Sequence, residues 1–418
     1  MENRVEKHNI KRSSEFYEII DDLCFKSKNI YNYANYIVRQ EFIKTSREKE
    51  AGLKDNAIWI QYNDLYKTVK ESDAYKQINS KSGQATLRIL NANWKGFFKS
   101  IKDYKKHPEK YKGRPRLPNY LDKENGRFEF CLNNQQFKIK NGFIFFGYTP
   151  LKIMNDIFKT KIPEEAKLIQ IRFVPKLDEY IMEVVYQINV PELKESNERI
   201  ASIDLGVNNL MTVTTNFGYK PFVINGRPLK SINQYYNKEL ADMKSKLKIR
   251  NNKESSKEIR RFTTKRNNKI DDYIHKATRI VVDFCKENEV DTLVCGYNEN
   301  WKQEVNIGSQ NNQNFVGIPH SKIVWQLMYK CQNEGISFIK VEESYTSKTS
   351  FLDNEEPIKE NADGSRRKHR GLFVTKKGEQ INADVNGSYQ IMKKAFPNAF
   401  ANGIVGADSH PIIVNIPL

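Results

Sequence analysis

The sequence predicts a multidomain α+β chain: a helical block, a small antiparallel β-barrel, and an α/β block. Three observations predict it. Apolar residues recur at three- and four-residue steps over residues 13–116. The period drops to two over residues 118–190, around strong turn signals. From Ile200 onward, short apolar runs alternate with long helical patterns.

In the helical block, Phe16, Ile19, Ile20 and Leu23 form one stripe, and Ile30, Tyr31, Tyr33, Ala34, Ile37 and Val38 form the next. A further helix carries Leu87, Leu90, Trp94, Phe97, Phe98 and Ile101 on one face, which reads as core. Its other face is one-signed. Residues 95–116 hold nine Lys/Arg against two acids, with Tyr104 and Tyr111 interleaved. Lys95, Lys99, Lys102, Lys105, Lys106, Lys112, Arg114 and Arg116 are therefore candidate phosphate contacts.

In the barrel block, residues 127–132 alternate. Residues 137–140 and 143–146 flank Asn141-Gly142, a hairpin signal. Residues 167–174 and 180–190 flank 175–179, a second hairpin with a longer loop. In the α/β block, strands at 201–205, 210–215 and 220–224 read as a meander. One long charged helix is expected over 235–286, with Lys244, Arg250, Arg260, Lys265 and other basic residues along it. A strand at 292–296, a helix at 321–333, a strand at 336–343 and a helix after Asp384 complete a ribonuclease H-like order.

Composition points to the partner. The 69 Lys+Arg against 51 Asp+Glu give a net charge of +18, the footprint of a polyanion binder. Cys24, Cys131, Cys285, Cys295 and Cys331 are scattered, with no C-x-x-C spacing. That argues for a reducing cytoplasm and against disulfides or a cysteine zinc site. The opening Met-Glu-Asn-Arg-Val-Glu-Lys-His has no apolar core of a signal peptide, and no apolar run is long enough for a membrane helix.

Two carboxylates stand out. Asp384 lies among small residues in Ile381-Asn382-Ala383-Asp384-Val385-Asn386-Gly387-Ser388, at a helix start. Asp204 ends the short buried strand Ala201-Ser202-Ile203-Asp204-Leu205. Divalent-metal phosphodiester chemistry gathers such acids from distant segments onto one sheet end.

These segments together resemble the split RuvC nuclease of TnpB-type proteins, transposon-encoded RNA-guided DNA endonucleases related to type V CRISPR effectors. Five short motifs in order carry the resemblance: Ser27-Lys28-Asn29-Ile30-Tyr31-Asn32-Tyr33; Gln84 with Trp94-Lys95-Gly96-Phe97-Phe98; Ile203-Asp204-Leu205-Gly206-Val207-Asn208-Asn209; His275-Lys276; and Asn382-Ala383-Asp384-Val385-Asn386-Gly387. It implies a wedge β-barrel from residues 1–12 and 118–195, holding the scaffold of a transposon-end guide RNA. It implies a recognition domain over 13–117 that reads a short target-adjacent motif, with Gln84 near the double-stranded DNA target. It implies a RuvC-like nuclease over 196–418 with a basic insert at about 345–380, in a bacterial cytoplasm.

Two departures matter. The family places its second acid at the end of the 292–296 strand, where this chain has Gly296; Glu299 follows nearby. Glu343, at the end of the neighbouring strand and ahead of Thr346-Ser347, is the candidate replacement, as in relatives such as the eukaryotic Fanzor proteins that have a relocated Glu. By strand alternation Glu342 should point the other way. The family also carries zinc-binding Cys pairs here, but no cysteine follows Cys331, so no structural zinc is expected. Arg366, Arg367 and Arg370 in the basic insert could still touch DNA. The expected activity is Mg²⁺- or Mn²⁺-dependent DNA cleavage, with Asp204, Glu343 and Asp384 as metal ligands and catalytic acids. The rivals are a nuclease-inactive RNA-guided repressor and, third, a DNA transposase.

Overall fold

The computed structural model describes residues 1–53, 55–298, 309–369, 371–401 and 410–417. It divides into two compact units, Met1–Asn189 and Val190–Leu418.

The first unit opens with β1 (Glu2–Ile10), followed by α1 (Tyr17–Glu50), α2 (Tyr62–Val69), α3 (Asp73–Lys76) and α4 (Ser80–Tyr104). Both early apolar stripes lie on α1, a single helix of 34 residues. The start of α4 is fixed by Asn79, whose side chain accepts from Ser82 N. Leu87, Leu90 and Trp94 of α4 are fully buried, and Trp94 Nε1 donates to Asn35 Oδ1 of α1 at 3.0 Å.

The strands β2 (Phe130–Asn133), β3 (Phe137–Lys140), β4 (Phe143–Phe146), β5 (Lys167–Lys176) and β6 (Glu179–Ile188) follow. They make no closed barrel. A four-stranded sheet runs β1-β6-β5-β2 and β3-β4 stands as a separate ribbon. Ten-residue β5 and β6 pair along their length, whereas β2 has four residues, too short to continue the sheet around. Asn141 and Gly142 both take positive φ, as the expected two-residue turn requires. The second hairpin is tighter than its sequence suggests. Lys176 pairs Glu179, and Leu177 takes φ 55°.

The second unit contains β7 (Ile200–Leu205), β8 (Asn209–Thr215), β9 (Phe222–Asn225), α5 (Arg227–Asn251), α6 (Lys257–Glu287), β10 (Thr292–Gly296), α7 (Ser309–Val316), α8 (His320–Asn333) and β11 (Ser337–Val341). Then come β12 (Arg367–His369), β13 (Leu372–Val374), β14 (Gln380–Asn382), α9 (Ala383–Ala395) and β15 (Ile412–Val414). The central sheet runs β11-β10-β7-β8-β9-β15. The strands β7, β8 and β9 form an antiparallel meander, and β10, β11 and β15 join in parallel. The expected long helix is two. Asn252 ends α5 in the left-handed region, and Ser256 caps α6 by accepting from Ile259 N.

Strand alternation divides the central sheet into two unlike faces. Ala201, Ile203, Leu205, Met211 and Val213 face an apolar core with α6 and α8. The intervening Ser202, Asp204, Thr212 and Thr214 belong to the other face, where α9 packs on β7 and β8. The functional side chains gather on that second face.

Candidate metal centre

Asp204, Glu343 and Asp384 line one cavity of about 770 Å³ in the second unit. Each arrives by a different route. Asp204 is held near the end of β7, half-buried, with Gly387 of α9 directly above it. A Cβ on Gly387 would stand 2.8 Å from Asp204 Oδ2, so only a glycine lets the helix pack this close. Asp384 lies in the first turn of α9, three residues before Gly387. Asn382 caps that turn, accepting from Asp384 N at 2.9 Å and Val385 N at 3.1 Å. The helix N-terminus favours a carboxylate there.

Glu343 comes from beyond the end of β11, which stops at Val341 rather than continuing to 343. Strand alternation therefore does not set the directions of the two glutamates; the turn does. Glu342 is exposed, accepting from Ser344 N and pairing with Lys394 Nζ at 2.8 Å. Glu343 turns into the cavity, with its backbone N–H donating to Asn298 Oδ1 at 2.9 Å. Its side chain covers Gly296, where a Cβ would stand 2.5 Å from Glu343 Oε1 and 2.5 Å from Ile391 Cδ1. Gly296 thus has no room for a side chain on the cavity side, because a carboxylate from the turn after β11 fills the space above it. Glu299 lies outside the described residues.

The electrostatics are unfavourable for three anions. Burial, then Asp384, then Glu343 push the Asp204 carboxyl well above its ordinary value, against a smaller opposing pull from Arg367. Burial, with Glu342 adding to it, pushes Glu343 up to about 7. Glu343 Oε1 is buried and has no hydrogen-bond partner among the described residues. Asp384 is better supplied: its Oδ2 accepts from Asn209 Nδ2 at 2.7 Å and its Oδ1 from Arg367 Nη2 at 3.1 Å. Among the described residues no three His, Cys, Asp or Glu side chains are gathered tightly enough to hold one ion. Mutual repulsion accounts for that spread. The donor set, three carboxylates with one orphaned buried oxygen, still suits a hard divalent cation in kind.

Other candidates fall in different places. Arg366 is corrected outright. It is buried, with Nη2 2.7 Å from Glu355 Oε2 and Nη1 3.5 Å from Asp353 Oδ2, so it faces no nucleic acid. Arg367 is exposed but reaches Asp384 rather than the outer surface alone. Arg370 lies outside the described residues. Lys95, Lys99, Lys102, Lys105, Lys106, Lys112, Arg114 and Arg116 are all exposed in the first unit. Gln84 is half-buried on α4, its Nε2 3.5 Å from Ser80 Oγ. Sequence reading did not single out Asn209, Thr212, Arg227 or Lys230, which also line the cavity. Asn209 alone had a signal, as part of the Asp204 motif.

The segment where the resembled family carries zinc-binding Cys pairs is held here by ion pairs. Burial alone would raise the Glu355 carboxyl, but Arg366, Lys376 and the Ser350 N–H overcome it and bring it down to about 2. These groups tie the 345–366 segment to β12, β13 and β14.

Residues 183–302 match the OrfB_IS605 family, described as a probable transposase, and residues 320–391 match the Cas12f1-like TNB domain. Over these two stretches the chain is similar to TnpB-type and Cas12f1-like proteins. A TnpB-like protein of Acidianus two-tailed virus is 23% identical over 419 residues, covering 88% of this chain and 81% of that one. Among solved structures, a Cas12f1–guide RNA–target DNA complex matches 93% of this chain and 98% of its own, at 17% identity and a TM-score of 0.36. Alicyclobacillus acidoterrestris C2c1 with single-guide RNA matches 90% of this chain and 69% of its own, at 8% identity and a TM-score of 0.45. Among the described residues no helix is long and apolar enough to cross a membrane.

Proposed function

We propose that this chain is a guide-RNA-directed DNA endonuclease whose RuvC-like, ribonuclease H-like half cuts DNA with divalent cations, Mg²⁺ or Mn²⁺, held by Asp204, Glu343 and Asp384. One observation carries the reading. Three carboxylates from segments far apart in sequence converge on one cavity, and Glu343 fills the space over Gly296 where the family's own acid would stand. The likeness to TnpB-type proteins points to RNA and DNA as partners, and the +18 charge suits them. The sheet order β11-β10-β7-β8-β9 is that of a ribonuclease H-like core.

Bound cations would activate water and stabilise the leaving 3′ oxygen. The protein's own groups do the rest. Asp204 and Glu343, raised by burial, give up their protons as positive charge enters. Asn209 keeps Asp384 oriented through Oδ2. Arg367 leaves Asp384 Oδ1 free when it turns to a phosphate, since both are anions for the same guanidinium. Arg227 and Lys230 line the same cavity and can neutralise backbone phosphates. Target sequence is chosen by base pairing with the guide, and the exposed basic face of α4 and the segment after it serves the backbone.

The repressor reading has one observation on its side: Asn209 and Arg367 already occupy both oxygens of Asp384. A single experiment separates the two. The protein is purified with its RNA, that RNA is sequenced, and a matching plasmid library is incubated in Mg²⁺ or Mn²⁺. Cleavage that drops by orders of magnitude in D204A, D384A and E343Q, with guided binding kept within a few-fold, supports the nuclease. Guided binding with no cleavage in either cation supports the repressor.

A further inference from the structure

The polar face of the sheet under α9 is a ladder of paired side chains. On its lower rung Ser202 faces Thr214 across β7 and β8, and Ser388 of α9 closes over both. Every hydroxyl of that rung is satisfied. Ser202 Oγ donates to Ser388 O at 2.7 Å, Thr214 Oγ1 pairs Ser388 Oγ at 2.9 Å, and Ser388 Oγ reaches Ser202 O at 3.0 Å. The next rung up is Asp204 facing Thr212. Thr212 is 1% exposed and lines the cavity, yet its Oγ1 has no hydrogen-bond partner among the described residues.

A buried hydroxyl without a partner costs on the order of 1–3 kcal/mol. A β-branched hydrocarbon of the same shape would fit a β-strand at least as well. The rung below shows that this face can satisfy its hydroxyls from protein alone. Thr212 instead keeps an unpartnered hydroxyl in the wall of the cavity beside Asp204, whose Cβ lies about 4.5–5.5 Å away as a directly opposed strand neighbour.

We propose that Thr212 is a positioning residue of the metal centre: its hydroxyl is the partner of a water held on the cation that Asp204 binds, fixing that water and the carboxylate's rotamer. The inference rests on the reading of Asp204 as a metal ligand. A hydroxyl both donates and accepts, so it can bridge a cation's water and a carboxylate oxygen at once. Groups that orient first ligands in this way contribute about 10–100-fold to metal affinity.

The test uses Mn²⁺ alone with the RNA-loaded full chain, read by electron paramagnetic resonance of free Mn²⁺, with thermal unfolding in chelator alongside. T212V should bind Mn²⁺ about tenfold more weakly, T212S should bind like the wild type, and D204N should lose the site. In chelator T212V should be as stable as the wild type or more so, because valine removes an unpaired buried hydroxyl. A merely structural threonine gives the reverse pattern: unchanged Mn²⁺ affinity and lowered stability. Unchanged affinity in T212V overturns the positioning role while leaving the Asp204 site standing. No Asp204-dependent Mn²⁺ binding in the wild type overturns both. If T212V fails to fold, T212A, which also lacks the hydroxyl but is smaller, must show the same weakening.

Discussion

Two carboxylate clusters in the second unit meet the same problem with opposite solutions. Around Arg366, the side chains of Glu355 and Asp353 are largely buried, and Glu355 is nonetheless driven down to about 2. Around the cavity, Asp204 and Glu343 are driven up, and Glu343 keeps a buried oxygen without a partner among the described residues. The first cluster contains its own cations in Arg366 and Lys376. The second has Arg367 at one edge, on Asp384 only. A cluster that neutralises itself is a fastener. A cluster that does not fits the proposed role of taking up a cation from solution.

The largest effect should come from opening the fastener. R366M strands two buried carboxylates and should destabilise the second unit by about 3–5 kcal/mol in urea unfolding. The double variant R366M/E355Q should recover part of that loss, since fewer charges are left unpaired. A single variant as stable as the wild type would show that the ion pairs do not replace the zinc finger.

Next in size is the response to cations. Mn²⁺ at a hundred times its Kd should raise stability by about 2.7 kcal/mol. D204N and D384N should lose this gain and E355Q should keep it, because only one of the two clusters awaits a cation. An equal gain in all three variants would place the ion somewhere else.

Acid should act on the fastener with a definite sign. Glu355 has a folded pKa of about 2 against 4.5 for the unfolded chain. A depressed carboxylate contributes stability that is fully present above the unfolded value and lost as pH falls from 4.5 toward about 2. In chelator, the difference in stability between the wild type and E355Q should therefore shrink across that window and stay constant above it. A difference that is flat from pH 7 down to 2 would mean Glu355 is not held by its partners.

Sequence patterning disclosed the parts of this architecture that depend on local periodicity. The stripe at Leu87, Leu90 and Trp94 is buried, and the Asn141-Gly142 turn has the positive φ values its residues prefer. What it could not disclose depends on partners distant in the chain. The segment forming β1 has only Val5 and Ile10 as apolar residues, and its strand exists because distant β6 pairs with it, from Glu2 opposite Ile188 to Ile10 opposite Tyr180. Likewise β15 joins β9 from the other end of the unit. Arg366 and Arg367 are adjacent in one basic run, and composition gives both the same surface role. The fold sends one into an ion-pair cluster and the other to Asp384. Asp384 stood out as a candidate by its small, turn-forming neighbours and Asp204 by ending a short buried strand; Thr212 did not, since a threonine in a strand carries no local mark of an unpaired hydroxyl.

Gly296 sharpens the cavity half of the contrast. A methyl group there meets Glu343 Oε1 and Ile391 Cδ1 at 2.5 Å each, so the carboxylate must move. G296A should fold normally and lose about ten- to a hundredfold in cleavage, the scale of a displacement near 1 Å in a reacting group. Unaltered cleavage would show that Glu343 does not act from the position over Gly296.

The smallest effect is expected one residue away. Glu342 and Glu343 are chemically identical neighbours, but Glu342 is exposed and paired with Lys394 at 2.8 Å. Its carboxyl lies below the ordinary value, first through the Lys394 and Ser344 hydrogen bonds, whereas that of Glu343 lies above. An exposed ion pair of this kind contributes about 0.2–1 kcal/mol. E342Q should cost no more than that and leave cleavage unchanged. It would also remove a negative charge near Glu343, so any change in affinity for a divalent cation should be a slight loss. If E342Q and E343Q lose cleavage alike, the turn after β11 does not assign the two glutamates to separate tasks, and the pair would have to act as one.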